Sequence, residues 1–114
     1  MNSWAPVQGE KRADAAVVLA WHVFRGAVIV DAAEFVKSAM FTHTMPIPTE
    51  GWIDAAKRQP CAADADENGC VMVYHKWDGY KVTGWRQFEW DKYIERWQRT
   101  PPPPENHREL RERF

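Results

Sequence analysis

The chain has 114 residues, 45% hydrophobic and 27% charged, with 15 Lys and Arg against 16 Asp and Glu for a formal net charge of -1. That balance excludes a general attraction to nucleic acid or to an anionic membrane, and equally the strong acidity of a nucleic-acid mimic. At this size a single domain over 1–114 with one modest core is the default, or two very small cores sharing an interface. Met1 to Asp14 lacks the cationic and apolar pattern of a signal peptide, and the longest apolar run is broken by His22, Arg25 and Gly26, so no membrane span is expected. A cytoplasmic setting then makes Cys61 and Cys70 reduced thiols. Seven Trp residues point either to aromatic plugs in a core or to a recognition surface.

Ala15 to Val30 is apolar and rich in Val, and Arg25-Gly26 divides it as a hairpin turn would, which predicts strands over 16–24 and 27–31. A helix over Ala13 to Phe24 competes on the strength of its alanines. Asp31 can cap a helix from Ala32 to near Phe41, with Phe35, Ala39 and Val36, Met40 at four-residue spacing. Met45-Pro46-Ile47-Pro48 then forms an extended connector, because each Pro lacks an amide donor and restricts its predecessor. Trp52 to Gln59 opens a second segment, and Asp64-Ala65-Asp66-Glu67-Asn68-Gly69 reads as an exposed, solvated acidic turn.

The strongest local signal follows. Cys70 to Trp77 and Tyr80 to Trp85 flank Asp78-Gly79 and predict an antiparallel hairpin. Phe88 to Gln98 is ambiguous: Trp90, Tyr93, Ile94 and Trp97 have helical spacing, while their aromatic and β-branched character suits a strand. Pro101 to Pro104 ends either element and suits a polyproline II segment packed on Trp97 or read by a partner. Residues 106–114 form a short helix or a tail. The fold class expected is α+β, dominated by antiparallel hairpins, with one or two short helices.

No catalytic motif emerges: there is no nucleophile elbow, phosphate loop or paired-His metal motif, so neither an enzyme nor a cofactor is expected. Cys61, Cys70 and His75 match no compact zinc knuckle, and Asp64, Asp66 and Glu67 lack the spacing of a calcium loop, so no metal is assigned. Between Lys76 and Arg99, seven aromatic residues alternate with Lys76, Lys81, Arg86, Lys92, Arg96 and Arg99. Such a run can form a core with cations snorkelling outward. It can also form a protein-binding surface, for which Trp77, Tyr80, Trp85, Arg86 and Trp90 are the candidate anchors, or a platform for single-stranded nucleic acid.

The second half, through Trp52-Ile53, Arg58-Gln59-Pro60, Asp66-Glu67-Asn68-Gly69, Val71-Met72-Val73-Tyr74, Trp85 and Trp97 before Pro101 to Glu105, resembles the domain of unknown function 551 family of small tailed-phage and prophage proteins. The resemblance implies a phage setting without a known activity. A host protein or complex is then the expected partner, and inhibition of a bacterial defence complex such as a CRISPR effector the expected effect. Gly51-Trp52, Asn68-Gly69, Tyr74-His75 and Thr83-Gly84-Trp85 also resemble the order in WW domains, the readers of proline peptides, although Gln87 stands where that module has Pro.

The first half reads as a diverged copy of the second or as a chance likeness. Aligning Trp4 with Trp52, and Val17 to Trp21 with Val71 to His75, gives pseudo-repeats over 1–50 and 51–105 with a tail over 106–114. Nothing in the sequence fixes an oligomeric state.

Overall fold

Two turns of one design organise the chain. In His22-Val23-Phe24-Arg25-Gly26 and in His75-Lys76-Trp77-Asp78-Gly79, a histidine closes one strand and a glycine opens the next. The glycines have φ of 78° and 75°, the left-handed region that a side chain disfavours. In each turn the histidine Nδ1 accepts two backbone N–H groups: Phe24 and Arg25 donate to His22, and Trp77 and Asp78 donate to His75. These side chains satisfy amides that the turn itself cannot pair.

The computed structural model describes residues 4–7 and 15–113. Most of Met1 to Asp14, the Ala13 start of the alternative helix and Phe114 lie outside them. The architecture is α+β, with eight short strands in two antiparallel sheets among the described residues. Met1–Ile47 with Pro101–Phe114 forms one unit, and Pro48–Thr100 forms the other.

In the first unit, β1 (Ala5–Pro6), β2 (Val17–His22), β3 (Gly26–Asp31) and β4 (Phe41–Met45) form a sheet of order β1-β4-β2-β3. Helix α1 (Ala32–Lys37) is capped by Asp31, whose Oδ1 accepts the Glu34 N–H at 2.8 Å, as its position before an apolar turn predicts. The helix ends at Lys37 rather than near Phe41, because Phe41 is drawn into β4 and pairs with His22. Ala20, Val28, Val30, Phe35 and Phe41 fill one face of the sheet. On the other face Trp21 packs edge-on against Trp4 and against His107, the first residue of α2 (His107–Glu112).

In the second unit, β5 (Ile53–Asp54), β6 (Cys70–His75), β7 (Gly79–Gly84) and β8 (Ile94–Gln98) give the order β5-β8-β6-β7. The hairpin expected around Asp78-Gly79 is present, and the ambiguous stretch resolves into a 3-10 turn at Trp85–Glu89 followed by a strand. Val71, Val73, Phe88, Ile94 and Trp97 form the core, with Ile53, Ala55 and Trp85 against it.

The two sheets share their register. Val17 pairs with Asp31 and Cys70 with Gly84; Ala20 with Thr44 and Val73 with Trp97; His22 with Phe41 and His75 with Ile94. Each residue of the second pair lies 53 positions after its counterpart. The β-bulge between Trp21 and His22 recurs between Tyr74 and His75, and the Val23 N–H to Met40 carbonyl bond recurs as Lys76 to Tyr93. Aligning the two halves by side-chain similarity sets Val17 on Val71, one residue away from this register, in which Val17 corresponds to Cys70. Matching similar side chains cannot see which face each occupies, and a slip of one residue exchanges the faces of a strand.

The cores diverge within that frame. Val28 and Val30 on β3 correspond to Lys81 and Thr83 on β7, which leave the second core short of apolar volume. Trp97 stands where the first unit has Thr44 and supplies it: its ring is fully buried and its indole N–H donates to the Arg58 carbonyl at 2.8 Å.

Candidate functional site

The aromatic and cationic residues of 76–99 do not form one face, because the pleat and the turns send them apart. Phe88 and Trp97 are core residues. Tyr80 is half-buried on the outer face of the second sheet, its ring 5.4 Å from Trp52 and 4.8 Å from Tyr74. Arg96 closes this nest, its guanidinium 4.4 Å from the Tyr74 ring and its Nη2 donating to the Tyr80 hydroxyl. Trp85 leans on the core with Arg86 over its ring.

Of the five candidate anchors, Trp77 and Trp90 stand out in solvent, at 70% and 63% exposure. Tyr93, 54% exposed, joins them; its ring centroid lies 6.2 Å from that of Trp77. The sequence run included Tyr93 without ranking it, because its exposure depends on the kink that precedes β8. The patch is built at the tip of the second hairpin. Trp77 is carried by the β6–β7 turn, and Trp90 and Tyr93 by the connection from the 3-10 turn into β8.

Behind it stands a His–Asp pair. His75 is buried, and because its Nδ1 accepts the two turn amides, its proton belongs on Nε2, which donates to Asp91 at 3.1 Å. Asp91 also accepts the Tyr93 N–H. Burial pushes the Asp91 carboxyl up, but the Tyr93 N–H and His75 outweigh this and hold it below its ordinary value. Both His75 nitrogens are engaged, so the pair fixes the turn and the position of Tyr93; a free general base is not what this geometry offers.

A cleft of about 510 Å³ adjoins the patch, with Phe88 and Ile94 among apolar walls and Asp54, Asp91, Glu95 and Lys92 at its edge. Three carboxylates against one ammonium make this edge acidic. Lys81 is paired with Asp78, whereas Lys76 lies over the Trp77 ring and keeps its positive charge.

In the first unit the positions of Trp77, Trp90 and Tyr93 are held by Phe24, Lys37 and Met40, and Phe24 alone is a large exposed hydrophobic ring. The exposed aromatic cluster therefore belongs to the second unit and is not a requirement of the shared fold.

Two further tryptophans are engaged by the chain's own prolines. Trp4 donates its indole N–H to the Pro102 carbonyl at 2.7 Å, and Trp52 donates to Pro48 at 2.8 Å. The proline run thus supplies the acceptor for Trp4. Cys61 and Cys70 are free thiols; burial, with Asp66 nearby, raises the Cys70 thiol. Among the described residues there is no cluster of three or more metal-ligating side chains, and no helix long and apolar enough to cross a membrane.

The turn Asp64 to Gly69 corrects its reading as a solvated acidic loop. Asp64 is buried and accepts from both Arg58 and Arg99, and Asp66 accepts the Asn68 and Cys70 amides and the Thr100 hydroxyl. No family model, curated protein or solved structure matches the chain.

Proposed function

We propose that this is a non-enzymatic binding protein that engages a protein partner through Trp77, Trp90 and Tyr93 on its second unit. The observation that carries the reading is the exposure of Trp77 and Tyr93, whose ring centroids lie 6.2 Å apart, and of Trp90 three residues before Tyr93, each at more than half of its free surface. Rings placed so lose apolar contact with water only in a complex, and Trp and Tyr are the usual energetic centres of protein interfaces. The acidic edge of the adjoining cleft favours a protein partner with basic or apolar contacts over a nucleic-acid backbone, which three carboxylates would repel. The resemblance to phage and prophage proteins supplies the setting: a host protein or complex as the partner, and interference with a defence complex such as a CRISPR effector as the effect.

The test pairs affinity with stability. Trp77→Ala, Trp90→Ala and Tyr93→Ala proteins are used as bait beside the wild type, the captured host protein is identified, and its affinity is measured together with each melting temperature. An anchor is expected to cost about 2 kcal/mol of binding with little change in melting. Loss of affinity only in variants that also melt several degrees lower would remove the patch from the interface.

A further inference from the structure

In the second unit, the buried carboxylate of Asp64 holds two arginines side by side. Arg58 donates through Nη1 and Nη2 at 3.0 and 3.1 Å, and Arg99 through Nε and Nη2 at 3.2 and 3.0 Å. The Asp64 side chain is 2% exposed, whereas those of Arg58 and Arg99 are 51% and 68% exposed. One negative charge between two positive ones leaves a surplus positive charge facing solvent.

Each guanidinium carries five N–H donors in a rigid fork, and two from each are committed to Asp64. The outward edges keep donors for a further acceptor. Arg58 also lies 4.9 Å over the Trp97 ring, which fixes its plane. Holding both forks in place beforehand removes much of the ordering cost that a ligand would otherwise bear. They open on a cleft of about 300 Å³ lined by Gly51, Ile53, Arg58, Trp97, Gln98 and Arg99.

The shared fold does not demand this arrangement. At the spacing of 53 positions Arg99 corresponds to Pro46, and the first sheet keeps the same register without it. Nor does Asp64 need Arg99 for its charge, since Arg58 neutralises it and the Cys61 N–H satisfies it further.

We propose that this cleft binds a terminal phosphate group, as free phosphate or as the dianion of a phosphate monoester. A tetrahedral dianion presents three oxygens to two forks, and its higher charge per oxygen strengthens each charge-assisted hydrogen bond, while the surplus cation offsets one of its two charges. A carboxylate has two oxygens, which one fork satisfies, and an internal phosphodiester carries one charge and two free oxygens.

The experiment titrates the full-length protein, following the arginine Nε–H resonances, with inorganic phosphate, glycerol 3-phosphate, acetate and a short oligonucleotide lacking terminal phosphates. Saturable shifts confined to Arg58 and Arg99 are expected, with phosphate or the monoester bound at least tenfold more tightly than acetate. Response to inorganic phosphate alone supports the site with free phosphate as its source. Arg99→Gln, which leaves Asp64 paired with Arg58, is expected to weaken binding at least tenfold without loss of fold. Arg99→Lys should retain part of it, and Arg108→Gln all of it. Non-saturating shifts across many arginines, unchanged affinity in a folded Arg99→Gln protein, or tighter binding of the oligonucleotide would each overturn the proposal.

Discussion

Burial of the Asp64 carboxylate is sustained by a dense set of donors: Arg58, Arg99, and the Cys61 backbone and thiol. The Arg58 hydrogen bonds, ahead of the Cys61 amide, hold its carboxyl far below the usual carboxylate range despite the opposing effect of burial. Asp64→Ala would leave two like charges adjacent and the Cys61 N–H without its acceptor. The arginines, half in water, would be partly resolvated, so the expected cost is about 2–3 kcal/mol, toward the low end for a buried charged network. Asp64→Asn, keeping one carbonyl acceptor, should cost less. Urea denaturation of both measures this, and a change below about 0.5 kcal/mol in the Ala variant would show that the network does not contribute to stability. None of this was legible in the local sequence, where Asp64 opens a polar run. Its partner Arg99 is 35 positions away, and only the closure of the sheet brings them together.

The hairpins were the most legible elements because their information is local. A charged residue followed by glycine between β-rich runs states the turn, and Asp31 before an apolar stretch states the helix start. Strand β4 was hidden for the opposite reason: it pairs with β1 and with β2, both distant in sequence, and Phe41 and Met45 had read as a helix end and a connector. The histidine of each turn also escaped notice, since one His in an apolar strand has no signal until its repeat is seen at the same register. Replacing it should unravel the turn. His22→Ala is expected to cost about 1–2 kcal/mol through two lost turn acceptors. His75→Ala should cost more, because it also strips Asp91 of a partner beside a buried position. Gly79→Ala should cost about 1 kcal/mol for backbone strain alone, as no atom lies within 4 Å of the added methyl. Chemical denaturation orders the three; equal costs at His22 and His75 would remove Asp91 from the stabilising set.

Across the whole chain the ionisable groups set a pH dependence with a definite sign. His43 is held below its ordinary value of 6.5 by burial, and His22 by burial and then by Arg25, with Glu34 opposing. The unfolded chain therefore takes up protons at these sites at a higher pH than the folded chain does. The stability they confer is complete above 6.5, falls as pH drops toward their lowered folded values, and changes no further once both states are protonated. Asp64 and Asp91 act in the same direction at lower pH. Both are held below the ordinary 3.8, so their contribution is complete above that value and is lost as the solution becomes more acid. Unfolding free energy plotted against pH should thus be flat near pH 7.5, decline in one step below 6.5 and decline again below about 4. For each proton taken up on unfolding, the slope cannot exceed about 1.4 kcal/mol per pH unit. His43→Gln should shrink the first step and leave the second, while Asp64→Asn should do the reverse. Stability that rises on acidification from pH 7 to 5 would contradict the lowered values of these histidines.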